Sequence, residues 1–212
     1  MSDKIGEILV SKNIISALDL SEAMERKKSK PSKYLGQILC EMGLPQSKII
    51  KGIYFSNKRK QLGQVYVDLN IITPGQLSDH LSEQKLLQNR GIRKSLGALL
   101  ARNRAISEMN HLEALSAHFS MPIVSLKGYR ISPLLQKAIG EKFALMKRMV
   151  VLSDSPLKVT VALAEPNLFI FDNLEKAMPR GKQIVFCLAR ASEIEDCLDA
   201  SYDPFHFTGS KS

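Results

Sequence analysis

The sequence predicts an α+β protein, with helical-hairpin repeats at the N-terminus followed by a small helix-covered sheet domain. Two observations carry the prediction. A basic or polar stretch, then Ile-Gly or Leu-Gly, then an apolar-periodic run is written four times, at Ile5-Gly6, Leu35-Gly36, Leu62-Gly63 and Leu96-Gly97. The glycines are 30, 27 and 34 residues apart, a period that marks stacked supersecondary units. After Phe119 the repeat stops and β-rich runs alternate with helical ones.

The third copy, QLGQVYVDLNIITPGQLSDHLSEQ (61–84), is the most regular. Leu62, Val65, Tyr66 and Leu69 follow the i, i+3, i+4, i+7 pattern of a helix buried on one face. Thr73 is then an N-cap with Pro74 at the first helical position, and Leu77 and Leu81 continue the stripe. The first copy repeats this with Ile5, Ile8 and Leu9, Ser16 as cap, then Leu20 and Met24. The fourth does so with Ser107 as cap and Leu112 and Leu115 inside. In the second, Ile49, Ile50, Ile53 and Tyr54 follow Pro45, which suits a helix start as well as a break.

In the second half, Met121–Leu126 is a strand candidate and Ser132-Pro133 opens a helix carrying Leu134, Leu135 and Ile139. MVVLSDSPLKVTVALA (149–164) reads as a hairpin around Asp-Ser-Pro. A helix lies between Pro166 and Met178, Ile184–Leu188 is a strand, and Ser192 caps a last helix through Ile194, Cys197 and Leu198. The expected organisation is a pair of repeats over 1–57, a second pair over 58–120, an α/β subdomain over 121–202 and a disordered tail over 203–212.

Composition is ordinary for a globular chain of 212 residues, at 44% hydrophobic and 24% charged. No apolar run approaches the roughly 18 residues of a membrane span, and no signal pattern opens the chain, so a cytoplasmic location is expected. Cys40, Cys187 and Cys197 lack metal-ligand spacing and read as buried reduced thiols. No phosphate loop, His-x-x-x-His or Cys-x-x-Cys occurs, and the histidines are scattered, so no catalytic role, metal or cofactor is expected. The net charge of +9 is unevenly placed. Cations gather ahead of the repeats: Arg26, Lys27, Lys28, Lys30 and Lys33; Lys58, Arg59 and Lys60; Arg90, Arg93 and Lys94. A helix N-terminus already carries about half a positive charge, so an anion there relieves the repulsion, and a first-turn glycine admits a ligand to the backbone. The bland alternative is a set of solvated linkers.

The segment Gln61–Tyr202 resembles the N-terminal domain of type II secretion and type IV pilus assembly ATPases, the group that includes the MshEN cyclic di-GMP receptor domains. The resemblance runs through LGQVYVDLNIITPGQL, LGALLARNRAISEMNHLEALSAHFSMPIVSL, VTVALAEPNLFIFDNLE and IVFCLARASEIEDCLDASY. It implies a free-standing regulatory module without the ATPase core, taking cyclic di-GMP on tandem motifs that run Arg-Leu-Gly and then Leu-x-x-x-Leu-x-x-Gln. Carried onto this chain, the ligand-binding positions are Gln61, Leu62, Gly63, Leu77, Leu81 and Gln84 in the third repeat and Ser95, Leu96, Gly97, Leu115 and His118 in the fourth, with Arg59 and Arg93 two residues ahead of each opening. A possible second site comprises Lys4, Ile5, Gly6, Lys27, Tyr34, Leu35 and Gly36. No repeat has Arg in the leading position.

Three functions fit these residues. One is a cyclic di-GMP receptor; another is a protein-docking adaptor of the same fold, serving a secretion, pilus or motility complex and reaching a membrane only through partners. Nucleic-acid binding follows from charge alone, and 6% aromatic content without Trp opposes it.

Overall fold

The computed structural model describes residues 3–56 and 60–202, with side chains from Ile5 to Ser56 and from Lys60 to Ala200. Eight helices come first: α1 (Asp3–Ser11), α2 (Ala17–Ser29), α3 (Leu35–Glu41), α4 (Gln46–Tyr54), α5 (Leu62–Asp68), α6 (Pro74–Asn89), α7 (Leu96–Arg102) and α8 (Glu108–Phe119). These are the four helical hairpins that the glycine period predicts. Ser16, Thr73 and Ser107 cap α2, α6 and α8, each accepting from the backbone N–H three residues on at 3.0, 3.2 and 3.1 Å. Asp19, Gln76 and Asn110 return a bond to the cap N–H, completing capping boxes. Pro45 stands at the N-cap of α4, so it starts a helix rather than breaking one.

Within each pair of repeats the front helix of one packs on the back helix of the other: α1 on α4 and α2 on α3, then α5 on α8 and α6 on α7. The back helices of the even repeats, α4 and α8, also meet each other and face the sheet. Those of the odd repeats lie outside. Hence α6 buries no residue, and Leu81, expected on a buried stripe, is 45% exposed.

The second half contains α9 (Pro133–Gln136), a 3-10 turn at Lys137–Ile139, α10 (Glu141–Met146), β1 (Met149–Asp154), β2 (Lys158–Leu163), α11 (Leu168–Ala177), β3 (Gln183–Leu188) and α12 (Ala191–Tyr202). The strands lie in the order β1-β2-β3; β1 and β2 form the antiparallel hairpin, and β3 runs parallel to β2 after the α11 crossover. Alternate residues face two cores, as a pleat with period two requires. Val151, Val161 and Phe186 join Ile50 of α4, Leu112 and Leu115 of α8 and Phe171 of α11. Val150, Ala162 and Cys187 join Ile194, Cys197 and Leu198 of α12.

Both sheet edges are closed by buried glutamine amides. Gln136 donates to Met149 O at 3.2 Å and accepts from Val151 N at 2.8 Å on the β1 edge. On the β3 edge Gln46 donates to Phe186 O at 2.7 Å and accepts from Phe186 N at 2.6 Å. This explains why the expected strand at 121–126 is a single bridge, Ile123 to Leu188. The 121–126 segment bonds Leu188 through Val124 N and Pro122 O, and the next outward-facing backbone groups of β3, at Phe186, are already taken by Gln46.

Three further expectations change. The helix opened by Pro133 is interrupted, because Gln136 is drawn into the sheet edge and Gly140 turns the chain at φ 83. The short α10 follows, where no helix was expected. Ser192 lies in the first turn of α12 rather than capping it; the Glu108 carboxylate of α8 accepts from its N–H at 2.9 Å and its hydroxyl at 2.7 Å. The three cysteines are free thiols, and burial pushes Cys40 and Cys187 up to about 12, with the neighbouring Glu41 charge adding at Cys40. The tail over 203–212, expected to be disordered, lies outside the described residues.

Candidate functional site

Each repeat is built on one register counted from its glycine. Seven residues on stand Asn13, Gly43, Asn70 and Arg104, all in the left-handed region at φ 52, 94, 56 and 55, turning the front helix into the back one. Ten residues on stand Ser16, Gln46, Thr73 and Ser107. Three cap their helix; the fourth gives its side chain to the sheet. Fourteen residues on stand Leu20, Ile50, Leu77 and His111.

The glycines stand where helices pack closely, against side-chain tips at Gly6, Gly63 and Gly97 and against a Cβ at Gly36. A Cβ on Gly6 would lie 2.5 Å from Leu20 Cδ1, on Gly63 2.6 Å from Leu77 Cδ1 and 3.2 Å from Leu96 Cδ2, and on Gly97 2.4 Å from His111 Cε1. On Gly36 it would meet Ser120 Cβ at 2.4 Å, at the left-handed end of α8. The close approach that the Leu-Gly openings make possible is therefore between the two helices of a repeat, or between neighbouring repeats. That modifies the expectation of a glycine kept bare for a ligand.

Of the expected site residues, the second pair brings Gly63, Leu77 and Leu96 into contact. Gln84, two turns beyond Leu77 on α6, donates to Lys94 O at 2.8 Å, one residue before Ser95, which caps α7 by accepting from Ala98 N at 3.2 Å. Gln61 is the exposed N-cap residue of α5, its side chain making no cap bond. Leu62 is half-buried between the repeat core and the sheet core. Leu81 and Arg93 are exposed. Leu115 and His118 stand apart from this group: they are 2% and 6% exposed, Leu115 in the sheet core and His118 edge-on to Phe119 at 4.7 Å between ring centres. Arg59 lies outside the described residues.

The first pair repeats the closing bond, with Lys27 Nζ donating to Lys33 O at 2.8 Å. Ile5 is half-buried, Leu35 is buried, and Tyr34 is the N-cap residue of α3, its phenol pushed up by burial and by the Glu113 carboxylate. The Lys4 side chain lies outside the described residues.

The structure also sorts the cations. Lys30 and Lys33 both bond Glu41, and Lys60 pairs with Asp68, whose carboxyl is held below its ordinary range by Lys60 and Gln64. Among the described residues, Arg90, Arg93 and Lys94, the basic group ahead of repeat four, have no ion pair, while Lys58 and Arg59 lie outside them.

His111 was not among the expected site residues. Its Nδ1 is bonded by the Tyr66 hydroxyl and its Nε2 lies 2.9 Å from Glu165 Oε1. A Tyr66 O–H donating to Nδ1 and an Nε2–H donating to Glu165 satisfy all three groups. Burial and the Glu165 charge push the Tyr66 phenol up. The chain of bonds joins α5, α8 and the Ala-Glu-Pro-Asn turn after β2. Its one legible signal was a histidine where the other repeats carry Leu or Ile.

Residues 119–207, from the end of α8 through the sheet and α12, match the MshEN domain family. The structure of MshE with cyclic di-GMP superposes with a TM-score of 0.58 at 27% identity, covering 68% of this chain and all of that one. Over this second half the chain is similar to MshEN domains in sequence and in fold. Its sequence is also similar to the type IV pilus assembly ATPase PilB of Myxococcus xanthus (strain DK1622), at 27% identity over 143 residues. That similarity takes in 67% of this chain and 24% of PilB, so the chain spans about a quarter of that relative's length. No described helix is long and apolar enough to cross a membrane.

Proposed function

We propose that the chain is a non-catalytic receptor module for cyclic di-GMP, with the second pair of repeats as its binding element. The observation that carries this is the meeting of Gly63, Leu77 and Leu96, with Gln84 bridging to Lys94 O, beside cations that have no ion pair among the described residues. MshE, solved with cyclic di-GMP, is similar to this chain and supports the same ligand class. In this reading Arg93 and Lys94 meet phosphate, the exposed Leu81 and the half-buried Leu62 and Leu96 receive base surface, and Gln61 and Ser95 offer neutral polar contacts. Two leading arginines would supply charge-assisted bonds worth about 1.5–3 kcal/mol each, so Gln61 and Ser95 lower the affinity this site can reach. The reading is tested by calorimetric titration of the whole chain with cyclic di-GMP, using GMP as control. Saturable heat at one nucleotide or one dimer per chain supports it; no heat at submillimolar nucleotide overturns it.

A second reading is a docking adaptor of the same fold, in which the repeats serve a secretion, pilus or motility-complex protein. It is favoured by the burial of Leu115 and His118, which removes two positions of the fourth motif from any nucleotide. Retention of a partner by the chain in the absence of nucleotide, undiminished by Arg93→Glu, would select it.

A further inference from the structure

The two pairs of repeats differ most at one tip. In both, the end of the odd back helix is tied to the carbonyl just before the next front helix, by Lys27 to Lys33 O and by Gln84 to Lys94 O. The first bond spans six residues and the second ten, so the second tip is longer by about one helical turn. The added turn has no packing task. Every residue from Gln88 to Ser95 is exposed, and the tip is shaped by its own backbone, with Arg90 N–H donating to Leu86 O, Ile92 N–H to Leu87 O, and Gly91 turning at φ 78.

What the tip displays is equally particular. Lys85, Arg90, Arg93 and Lys94 point to solvent without ion pairs among the described residues, and the sequence has no acid between Glu83 and Glu108. The corresponding basic stretch of the first pair is neutralised by Glu22, Glu25 and Glu41. Among the cations stand Leu86, 60% exposed, and Ile92, 44% exposed. Exposed apolar side chains flanked by unpaired cations are the composition of a surface that meets anionic headgroups and the boundary beneath them. With every residue from Gln88 to Ser95 exposed, the tip can be laid against a plane. From Val67 to His118 there is no Phe, Tyr or Trp on which a nucleic-acid base would stack.

We propose that the tip Lys85–Lys94 is a direct contact site for a bilayer containing anionic phospholipid, with its four cations on headgroup phosphates and Leu86 and Ile92 in the interface. This departs from the expectation that a membrane is reached only through partners, and it does not rest on nucleotide binding. The test is co-sedimentation of the whole chain with vesicles of phosphatidylglycerol and phosphatidylcholine, against phosphatidylcholine alone, at low and physiological salt. The chain binds the anionic vesicles only, and more weakly in salt. Arg90→Glu/Arg93→Glu/Lys94→Glu cuts partitioning by about a hundred-fold or more, each lost cation being worth about five-fold. Lys137→Glu/Lys142→Glu/Lys147→Glu, an equal change of charge elsewhere, leaves most of it. Leu86→Ser/Ile92→Ser weakens binding while its salt dependence persists. Equal losses from the two charge reversals, no binding of the wild type at low salt, or binding of an oligonucleotide in place of vesicles would each overturn the proposal.

Discussion

The side-chain amide of Gln46 forms two bonds with one residue, donating to the carbonyl of Phe186 at 2.7 Å and accepting from its N–H at 2.6 Å. It thereby completes the β3 edge as another strand would, and it binds the first pair of repeats to the sheet. Lys51, one turn further along α4, adds ion pairs to Asp172 and Glu175 of α11 at 2.5 and 2.8 Å. Gln46→Ala leaves two buried backbone groups without partners and should cost about 2–4 kcal/mol in urea denaturation. Hydrogen exchange at the Phe186 amide should accelerate in the same variant. Unchanged stability would show that water replaces the amide at no cost.

A Cβ on Gly63 would lie 2.6 Å from Leu77 Cδ1, so a larger side chain there has to displace Leu77. Gly63→Val should destabilise the second pair of repeats by about 1–3 kcal/mol through overpacking. Leu77→Ala in the same chain should recover part of that loss, giving a favourable coupling in a double-mutant cycle. Independent, additive losses would argue that the glycine serves something else.

Arg104 occupies a left-handed turn at φ 55, where the second repeat has Gly43. A non-glycine residue there carries a penalty of about 1–2 kcal/mol. Arg104→Gly should therefore raise stability by up to about 1 kcal/mol, after the added freedom of the unfolded chain is counted. A lowered thermal midpoint would contradict this.

Burial alone would raise Glu108. Bonds from the Ser192 hydroxyl and from the N–H groups of Ser192 and Ala191, together with the Arg190 charge, hold it below its ordinary range. A carboxyl lowered on folding contributes stability that is present above its unfolded pKa, about 4.3, and lost as pH falls through the folded value. Stability of the wild type should thus decline below about pH 4.3. Glu108→Gln should make that decline shallower while lowering stability at neutral pH, as followed by denaturation across pH.

Gln61→Arg restores the leading residue of the tandem motif at an exposed N-cap that makes no side-chain bond. If the second pair holds cyclic di-GMP, affinity should rise by roughly ten-fold or more, the worth of one charge-assisted bond. The calorimetric Kd of the variant against wild type decides it, and an unchanged value removes Gln61 from the site.

The hairpins were legible because their signals are local. The glycine period, the hydroxyl caps at Ser16, Thr73 and Ser107 and the apolar spacing act over a few residues, and the β1–β2 hairpin is signalled by its own turn. Residues of the candidate site were legible only as positions in a repeat. Their surroundings were not, since whether Leu81 is exposed and Leu115 buried depends on which back helix faces the sheet.

By itself the sequence determined four helical hairpins, three of them with hydroxyl caps on the back helix, a mixed second half and an excess of cations ahead of the repeats, because turn chemistry, capping and periodicity are satisfied within each segment. Only the tertiary structure decided the rest. It set Gln46 and Gln136 on the sheet edges, placed Glu108 at the start of α12, and packed Leu20, Leu77 and His111 against glycines fourteen residues earlier. Among the described residues it also paired Lys30, Lys33 and Lys60 with acids while leaving Arg90, Arg93 and Lys94 exposed without ion pairs. The reason is physical: a buried polar group takes whatever partner the packed fold brings within reach, and that partner is often distant in sequence.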